Sequence, residues 1–154
     1  MEQLVYRRAD LADVGALAEL RAQFLAEVVN ANAGDPTLLD ALSRYFSAAL
    51  PNEEFVAFVA VSESRIIATS GLVFHRHPPS ATNLDGKSAY LMNMYTLSAW
   101  RGRGIASRLL IDLVGFARRS GCRRAKLHAL PKATALYERA GFTPVEGEME
   151  LRLA

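Results

Sequence analysis

The sequence lacks most features of secreted, membrane-bound or nucleic-acid-binding proteins. It has one cysteine, Cys122, so no disulfide can form within the chain, which fits a reducing compartment. Lys and Arg number 18 against 16 Asp and Glu, and this near balance disfavours a dedicated nucleic-acid binder. No apolar run approaches the roughly 20 residues of a membrane helix, and residues 1–10 lack the apolar core of a signal peptide. We therefore expect a soluble, cytoplasmic protein with a single domain at residues 1–154.

The pattern of apolar residues predicts strands and helices in a mixed order. Residues 4–7 and 55–61 predict strands, and 66–75 predicts the antiparallel return of the second. Apolar residues recur at helical spacing after Asp10 and after Asp35-Pro36, where both aspartates suit a helix N-cap. The remaining predicted elements are a strand at 89–97, a helix at 105–120, a strand at 125–130, a short helix at 133–139 and a last strand at 145–153. This order implies a mixed sheet flanked by helices.

A glycine segment lies between the strand at 89–97 and the helix that follows it. Gly102 and Gly104 allow a positive φ and a close approach of the backbone to a ligand. The first amides of the next helix lack intrahelical acceptors and carry the positive end of the helix dipole, so they form an anion site. Arg101 and Arg103 can add charge-assisted bonds. The segment is neither a Walker A loop nor a dinucleotide fingerprint, because it lacks the lysine of the first and the third glycine of the second. Alone, it fits equally well a solvated helix start with two surface arginines.

Two blocks of the sequence resemble the GNAT superfamily of N-acetyltransferases. The signature of that superfamily is Gln or Arg, two residues, Gly, one residue, and Gly or Ala, and it matches Arg101, Gly104 and Ala106. Residues 135–142 resemble the short helix of the superfamily that ends in Gly-Phe. The resemblance implies an α/β (α+β) GNAT fold: a central mixed, mostly antiparallel sheet of about six or seven strands with splayed middle strands, flanked by about four helices.

The resemblance also implies that acetyl-CoA is the co-substrate and lies between the splayed strands. The residues expected to pair with its pantetheine arm through their backbone are Met94, Tyr95, Thr96 and Leu97. The residues expected to hold its pyrophosphate are Arg101, Gly102, Arg103, Gly104, Ile105, Ala106 and Ser107. Tyr137 matches a tyrosine that often protonates the leaving thiolate, and Thr134 is a further expected cofactor contact. Pro131 departs from the superfamily, since many relatives carry an asparagine that touches the cofactor in this segment.

The sequence says less about the residues that bind the acceptor amine. In the resembled fold the first two helices frame the acceptor pocket, so Phe24, Glu27 and Tyr45 are candidate lining residues, and Asn93 and His128 lie on the splayed strands. The candidate general bases are Glu27, Glu54, His75, His77 and His128, and a chain of waters is the alternative. His75 and His77 share one face of a strand end, but no Cys, Asp or Glu nearby completes a ligand set, so we predict no metal.

We predict an acetyl-CoA-dependent N-acetyltransferase that acts on a primary amine, most simply that of a small molecule. One alternative is a peptide or protein amine as the acceptor. Another is a non-catalytic module that binds or senses acyl-CoA, although Tyr137 speaks against it. Neither a nucleic acid nor a membrane is an expected partner. The resembled fold often pairs through its last strands, so a homodimer is also an open expectation.

Overall fold

The structure, a computed structural model, describes residues 3–154. Its strands form one sheet in the order of the chain: β1 (Val5–Arg8), β2 (Val56–Ser62), β3 (Arg65–Arg76), β4 (Lys87–Thr96) and β5 (Arg124–Leu127). Neighbouring strands are antiparallel except β4 and β5, which are parallel. The α-helices of the described residues are α1 (Val14–Val29), α2 (Pro36–Ala49), α3 (Ile105–Arg119) and α4 (Thr134–Arg139). This arrangement confirms the predicted fold class, a mixed, mostly antiparallel sheet flanked by helices.

Both predicted aspartate caps are present at the helix starts. The Asp10 carboxylate accepts the backbone N–H of Ala12, at 2.9 Å, and begins a short 3-10 turn that leads into α1. The Asp35 carboxylate accepts the N–H of Thr37, also at 2.9 Å, with Pro36 in the first helical position. Each cap satisfies a backbone donor that the helix itself leaves without an acceptor.

The helices cover the two faces of the sheet as separate layers. On one side, which we call the front face, α1 and α2 pack against the sheet through a core that includes Leu17, Leu20, Phe46, Phe55, Val59 and Tyr95. On the opposite side, the back face, the core around α3 includes Val56, Leu72, Leu91, Leu110 and Leu113. Residues of β4 therefore contribute side chains to both layers.

A bulge interrupts the pairing of β3 with β4. Between the pair Thr69 with Tyr95 and the pair Gly71 with Met92, β4 has two residues and β3 has one. One of the two is Asn93, whose φ of 57° lies in the left-handed region. A bulge of this kind bends the strand and redirects its side chains.

Strands β4 and β5 separate after a short parallel stretch. Their pairing runs from Ser88 with Arg124 to Leu91 with Leu127, whereas β4 continues to Thr96. Among the described residues, the backbone of β4 beyond Leu91 therefore pairs with no residue of β5. This gap is the splay that the resemblance implies.

The predicted strand at the end of the chain is wrong. Residues 145–153 have no regular secondary structure, so the described residues form five strands rather than six or seven. The apolar residues of this segment, Val145, Met149, Leu151 and Leu153, are 81–94% exposed. Alternation of apolar and polar residues favours a strand only where a neighbouring edge accepts its backbone hydrogen bonds, and no strand of the described chain does so. No helix among residues 3–154 has the length and apolar character to cross a bilayer.

Candidate functional site

The glycine segment adopts the conformation that its sequence predicts. Gly102 and Gly104 have φ values of 75° and 77°, and Gly104 is the N-cap of α3. A Cβ atom on either glycine would meet no other atom within 4 Å. The backbone of this segment is therefore open to a ligand. The first backbone amides of α3 have no intrahelical acceptors. Amides in this position, with the helix dipole, can bind an anion.

A cavity of about 520 Å³ begins at this segment and follows the gap beyond β4. The predicted residues that line it are Phe24, Glu27, Met94, Tyr95, Thr96, Arg101, Gly102, Gly104, Ile105, Ala106, Ser107 and Tyr137. The structure thus brings most of the predicted cofactor residues to one cleft, together with α1 and α4.

Three of the predicted cofactor residues do not line this cavity. Leu97 packs against the hydrophobic core instead. The guanidinium of Arg103 lies over the ring of Trp100, 4.8 Å from its centroid. Thr134 borders a second cavity, described below. Cofactor contacts by these residues remain predictions.

The side chain of Arg101 is held by neighbouring protein groups. Its Nη2 donates to both oxygens of Glu27, at 2.9 and 3.0 Å, and its Nε donates to the carbonyl of Thr96 at 2.8 Å. The same carboxylate accepts the hydroxyl of Tyr95 at 2.8 Å. These bonds tie α1 to the end of β4 and to the glycine segment, so the backbone amides are the free donors at the anion site.

The hydrogen bonds of Glu27 also decide how basic it is. The Tyr95 hydroxyl, with the Arg101 guanidinium, holds the pKa of the Glu27 carboxyl below its usual value. Burial and the Glu27 carboxylate in turn raise the pKa of Tyr95. A carboxylate stabilised in this way is a weaker proton acceptor, so Glu27 is poorly suited to act as the general base.

Two cationic residues at the cavity escaped the sequence analysis. Lys132, which follows Pro131, and Arg139, on α4, both line the cleft. Their positive charge was readable from the sequence, but their place in the same cavity as the α3 amides depends on the tertiary packing of α4. Their positive charges make the cleft more favourable for an anion.

Tyr137 lies where two cavities meet. It is 7% exposed, lines the cleft at the glycine segment, and also lines a second cavity of about 650 Å³ beside β5. Burial raises the pKa of its phenol, so the group stays protonated at neutral pH and can donate a proton. Its ring packs edge-on against Phe142 with centroids 6.0 Å apart.

The second cavity contains one predicted substrate residue, His128. It is bordered by Tyr90 on β4, Lys126 on β5 and the first residues of the irregular C-terminal segment. Tyr137 therefore joins a cleft suited to an anion with a cavity that is open to a second molecule.

Asn93 is the most unusual polar residue near the gap. It is 3% exposed, and both atoms of its side-chain amide lack a hydrogen-bond partner among the described residues. A buried amide without partners is destabilising unless a water or a ligand satisfies it. Asn93 does not border either large cavity, so its predicted contact with substrate stays a prediction.

The other predicted acceptor and base residues lie outside the cleft. Tyr45 is 45% exposed and packs on the rings of Phe46 and Phe55. Glu54 is exposed beyond α2, and His75 and His77 lie at the end of β3 with ring centroids 6.0 Å apart. Within residues 3–154, no group of three His, Cys, Asp or Glu side chains could hold a metal ion.

Comparison with known sequences identifies one family. The family described as Acetyltransferase (GNAT) matches residues 19–142. The uncharacterized N-acetyltransferase YjgM of Escherichia coli is 31% identical over 150 residues, which cover 92% of this chain and 83% of that protein. A probable glucosamine 6-phosphate N-acetyltransferase 2 of rice is 34% identical over 83 residues, which span 54% of this chain and 48% of that protein.

Comparison with solved structures points to the same group. A predicted acetyltransferase from Clostridium acetobutylicum, solved with acetyl-CoA, shares 32% of its sequence with this chain and superposes with a TM-score of 0.89. The match covers 98% of this chain and 97% of the Clostridium chain. The similarity therefore extends over the whole fold, including β4, the glycine segment and α4.

Proposed function

The chain belongs to the acetyltransferase (GNAT) family and is an acyltransferase, and from that premise we propose that it transfers the acetyl group of acetyl-CoA to a primary amine of a small molecule. The observation that carries this proposal is the position of Tyr137. This residue borders both the cleft at the α3 amides and the cavity beside β5.

The cleft suits acetyl-CoA in both charge and shape. The amides at the start of α3 are free donors for a pyrophosphate, and Lys132 and Arg139 add positive charge. The unpaired side of β4 beyond Leu91 leaves backbone groups free for the amides of a pantetheine arm. The relative solved with acetyl-CoA supports this assignment, since its fold matches throughout.

The proposed chemistry is direct attack on the thioester. The amine nitrogen bonds to the carbonyl carbon, the C–S bond breaks, and the sulfur leaves with the phenol proton of Tyr137. The new amide loses its extra proton to water, and the tyrosinate recovers a proton from solvent. Glu27 and Phe24 border the cleft and His128 the second cavity, and we assign all three to the acceptor side.

The test is release of free CoA that depends on an amine. Purified protein is mixed with acetyl-CoA and a panel of small primary amines, and both the thiol and the acetylated amine are measured. We expect at least one amine to give equal amounts of the two products. Tight binding of acetyl-CoA with no product from any amine, including peptide amines, would favour the non-catalytic module instead.

We also propose a homodimer in which a second copy covers residues 145–153. The support is the exposure of Val145, Met149, Leu151 and Leu153 on one alternating segment, since an apolar segment of this kind marks an interaction site. Light scattering should give twice the chain mass, and Met149→Ser with Leu151→Ser should reduce it to one. A monomeric parent protein would contradict this proposal.

A further inference from the structure

The front face carries a cluster of cationic and histidine side chains near β5. Cross-strand partners share a face of a sheet, and the register pairs His75 with Ser88, Ser88 with Arg124, and Tyr90 with Lys126. The ring of His75 stacks on that of Tyr90, with centroids 5.4 Å apart and planes at 21°. We call this surface the basic face; its members are His75, His77, Arg124, Lys126 and His128.

The basic face is exposed, and its cations form no ion pair among residues 3–154. All five side chains are exposed. Within residues 3–154, neither Arg124 nor Lys126 forms a salt bridge, and the one side-chain bond of Arg124 runs to the neutral hydroxyl of Thr82. Unpaired cations at the rim of a cleft attract an anion and raise its local concentration.

Lys126 connects the basic face with the cavity that Tyr137 borders. It borders the cavity of about 650 Å³ that reaches Tyr137, and also a smaller cavity of about 170 Å³ shared with His77 and Arg124. Along β5 it immediately precedes Leu127, the last residue paired with β4. Lys126 is therefore roughly 3 Å along the strand from the start of the gap, and Arg124 roughly 10 Å.

The cavity beside β5 has walls of opposite charge. Lys126 lies on the β5 wall, while Glu138 on α4 and Glu146 and Glu148 of the C-terminal segment border the other side. An acceptor with an ammonium and an anionic group would meet a complementary charge at each end. A simple alkylamine would use only one of the walls.

We propose that the acceptor carries a phosphate or carboxylate on the same small molecule as its amine, and that Lys126 and Arg124 bind this anionic group. The inference rests on the proposed acetyl transfer and names the substrate class for it. For an amine at the start of the gap, the strand rise places the residues that bind the anion roughly 3–10 Å along β5 from it.

Matched pairs of acceptors test this inference. Glucosamine with glucosamine 6-phosphate, and butylamine with 4-aminobutyrate, share a primary amine and differ in the anionic group. At saturating acetyl-CoA, we expect kcat/KM to be at least about tenfold higher for the anionic member of one pair, and the better pair distinguishes phosphate from carboxylate. Equal kcat/KM within both pairs would overturn this inference and leave acetyl transfer standing, whereas no CoA release from any of the four amines would count against both.

A charge-removing variant locates the anion site. Lys126→Gln should lower the anionic-to-neutral ratio of kcat/KM by about fivefold to tenfold, mainly through a higher KM for the anionic acceptor. Arg118→Gln is the matched control, because Arg118 is exposed near the end of α3 on the back of the sheet. A ratio that falls equally in both variants, or in neither, would contradict a site at Lys126. Both side chains are exposed, so thermal unfolding should be nearly unchanged in each variant.

Discussion

Replacing Tyr137 with phenylalanine removes a single oxygen atom from the junction of the two cavities. Among the described residues Tyr137 makes no side-chain hydrogen bond, and its ring contact with Phe142 survives the change. The fold should therefore lose little stability. If the phenol protonates the leaving sulfur, kcat should fall about 100-fold, within the range for loss of a general acid, which corresponds to about 2.7 kcal/mol of activation free energy.

The assay is thiol release at saturating amine, combined with titration of acetyl-CoA by calorimetry. We expect Kd for acetyl-CoA to change less than about twofold, because the proposed pyrophosphate site lies at the α3 amides. Burial raises the pKa of the Tyr137 phenol, so the wild-type protein should lose no activity through its ionisation below about pH 10. An unchanged kcat in Tyr137→Phe, or a large loss of acetyl-CoA binding with kcat preserved, would refute the assignment of Tyr137 as the acid.

Four further variants test the stability of the fold and the chemistry of the cleft. Asp13→Ala should lower the free energy of unfolding in urea by about 2 kcal/mol, because it breaks two hydrogen bonds with Arg7 of 2.7 and 2.9 Å. The pKa of Asp13 is lowered in the fold, so this loss should shrink as pH falls below about 4. Gly104→Ala should lower the free energy of unfolding by about 1–2 kcal/mol, because Gly104 has a φ of 77°, and it should also weaken acetyl-CoA binding. Gly115→Ala, inside α3, should instead raise the free energy of unfolding by about 0.5–1 kcal/mol. Glu27→Gln should lower kcat less than about threefold and leave its pH profile unshifted, because the lowered pKa of Glu27 makes it a weak base.

Each variant has an outcome that contradicts its reasoning. A pH-independent cost for Asp13→Ala would mean that its ionised form contributes nothing. Equal changes in the free energy of unfolding for Gly104→Ala and Gly115→Ala would contradict the cost assigned to the positive φ of Gly104. A kcat about 100-fold lower in Glu27→Gln, together with a shift in the acidic limb of the pH–rate profile, would show that Glu27 is the general base.

The features predicted correctly from the sequence are local ones. Asp10 and Asp35 cap helices through bonds to residues two positions away, and the positive φ of Gly102 and Gly104 follows from the lack of a side chain. Such interactions need only neighbouring residues. The family resemblance supplied the rest of the cleft, since it placed Tyr137 next to the glycine segment.

The features missed by the sequence depend on distant contacts. The bond of Arg101 with Glu27 joins residues 74 positions apart, and nothing in either neighbourhood predicts it. Residues 145–153 have the alternation of a strand, but no strand of the described chain pairs with them, and alternation alone does not supply that pairing. The basic face depends on the register of β4 with β5, which places Lys126 beside Tyr90.

Amide NMR spectra test the pyrophosphate site at α3 most directly. Protein labelled with nitrogen-15 is titrated with acetyl-CoA and, in parallel, with S-acetylpantetheine, which has the same thioester but no pyrophosphate. We predict that acetyl-CoA gives its largest amide shifts at Gly102, Gly104, Ile105 and Ala106, and that S-acetylpantetheine leaves these four amides nearly unmoved. Saturation by acetyl-CoA with these amides unchanged, or equal shifts with both ligands, would contradict a pyrophosphate held at the start of α3.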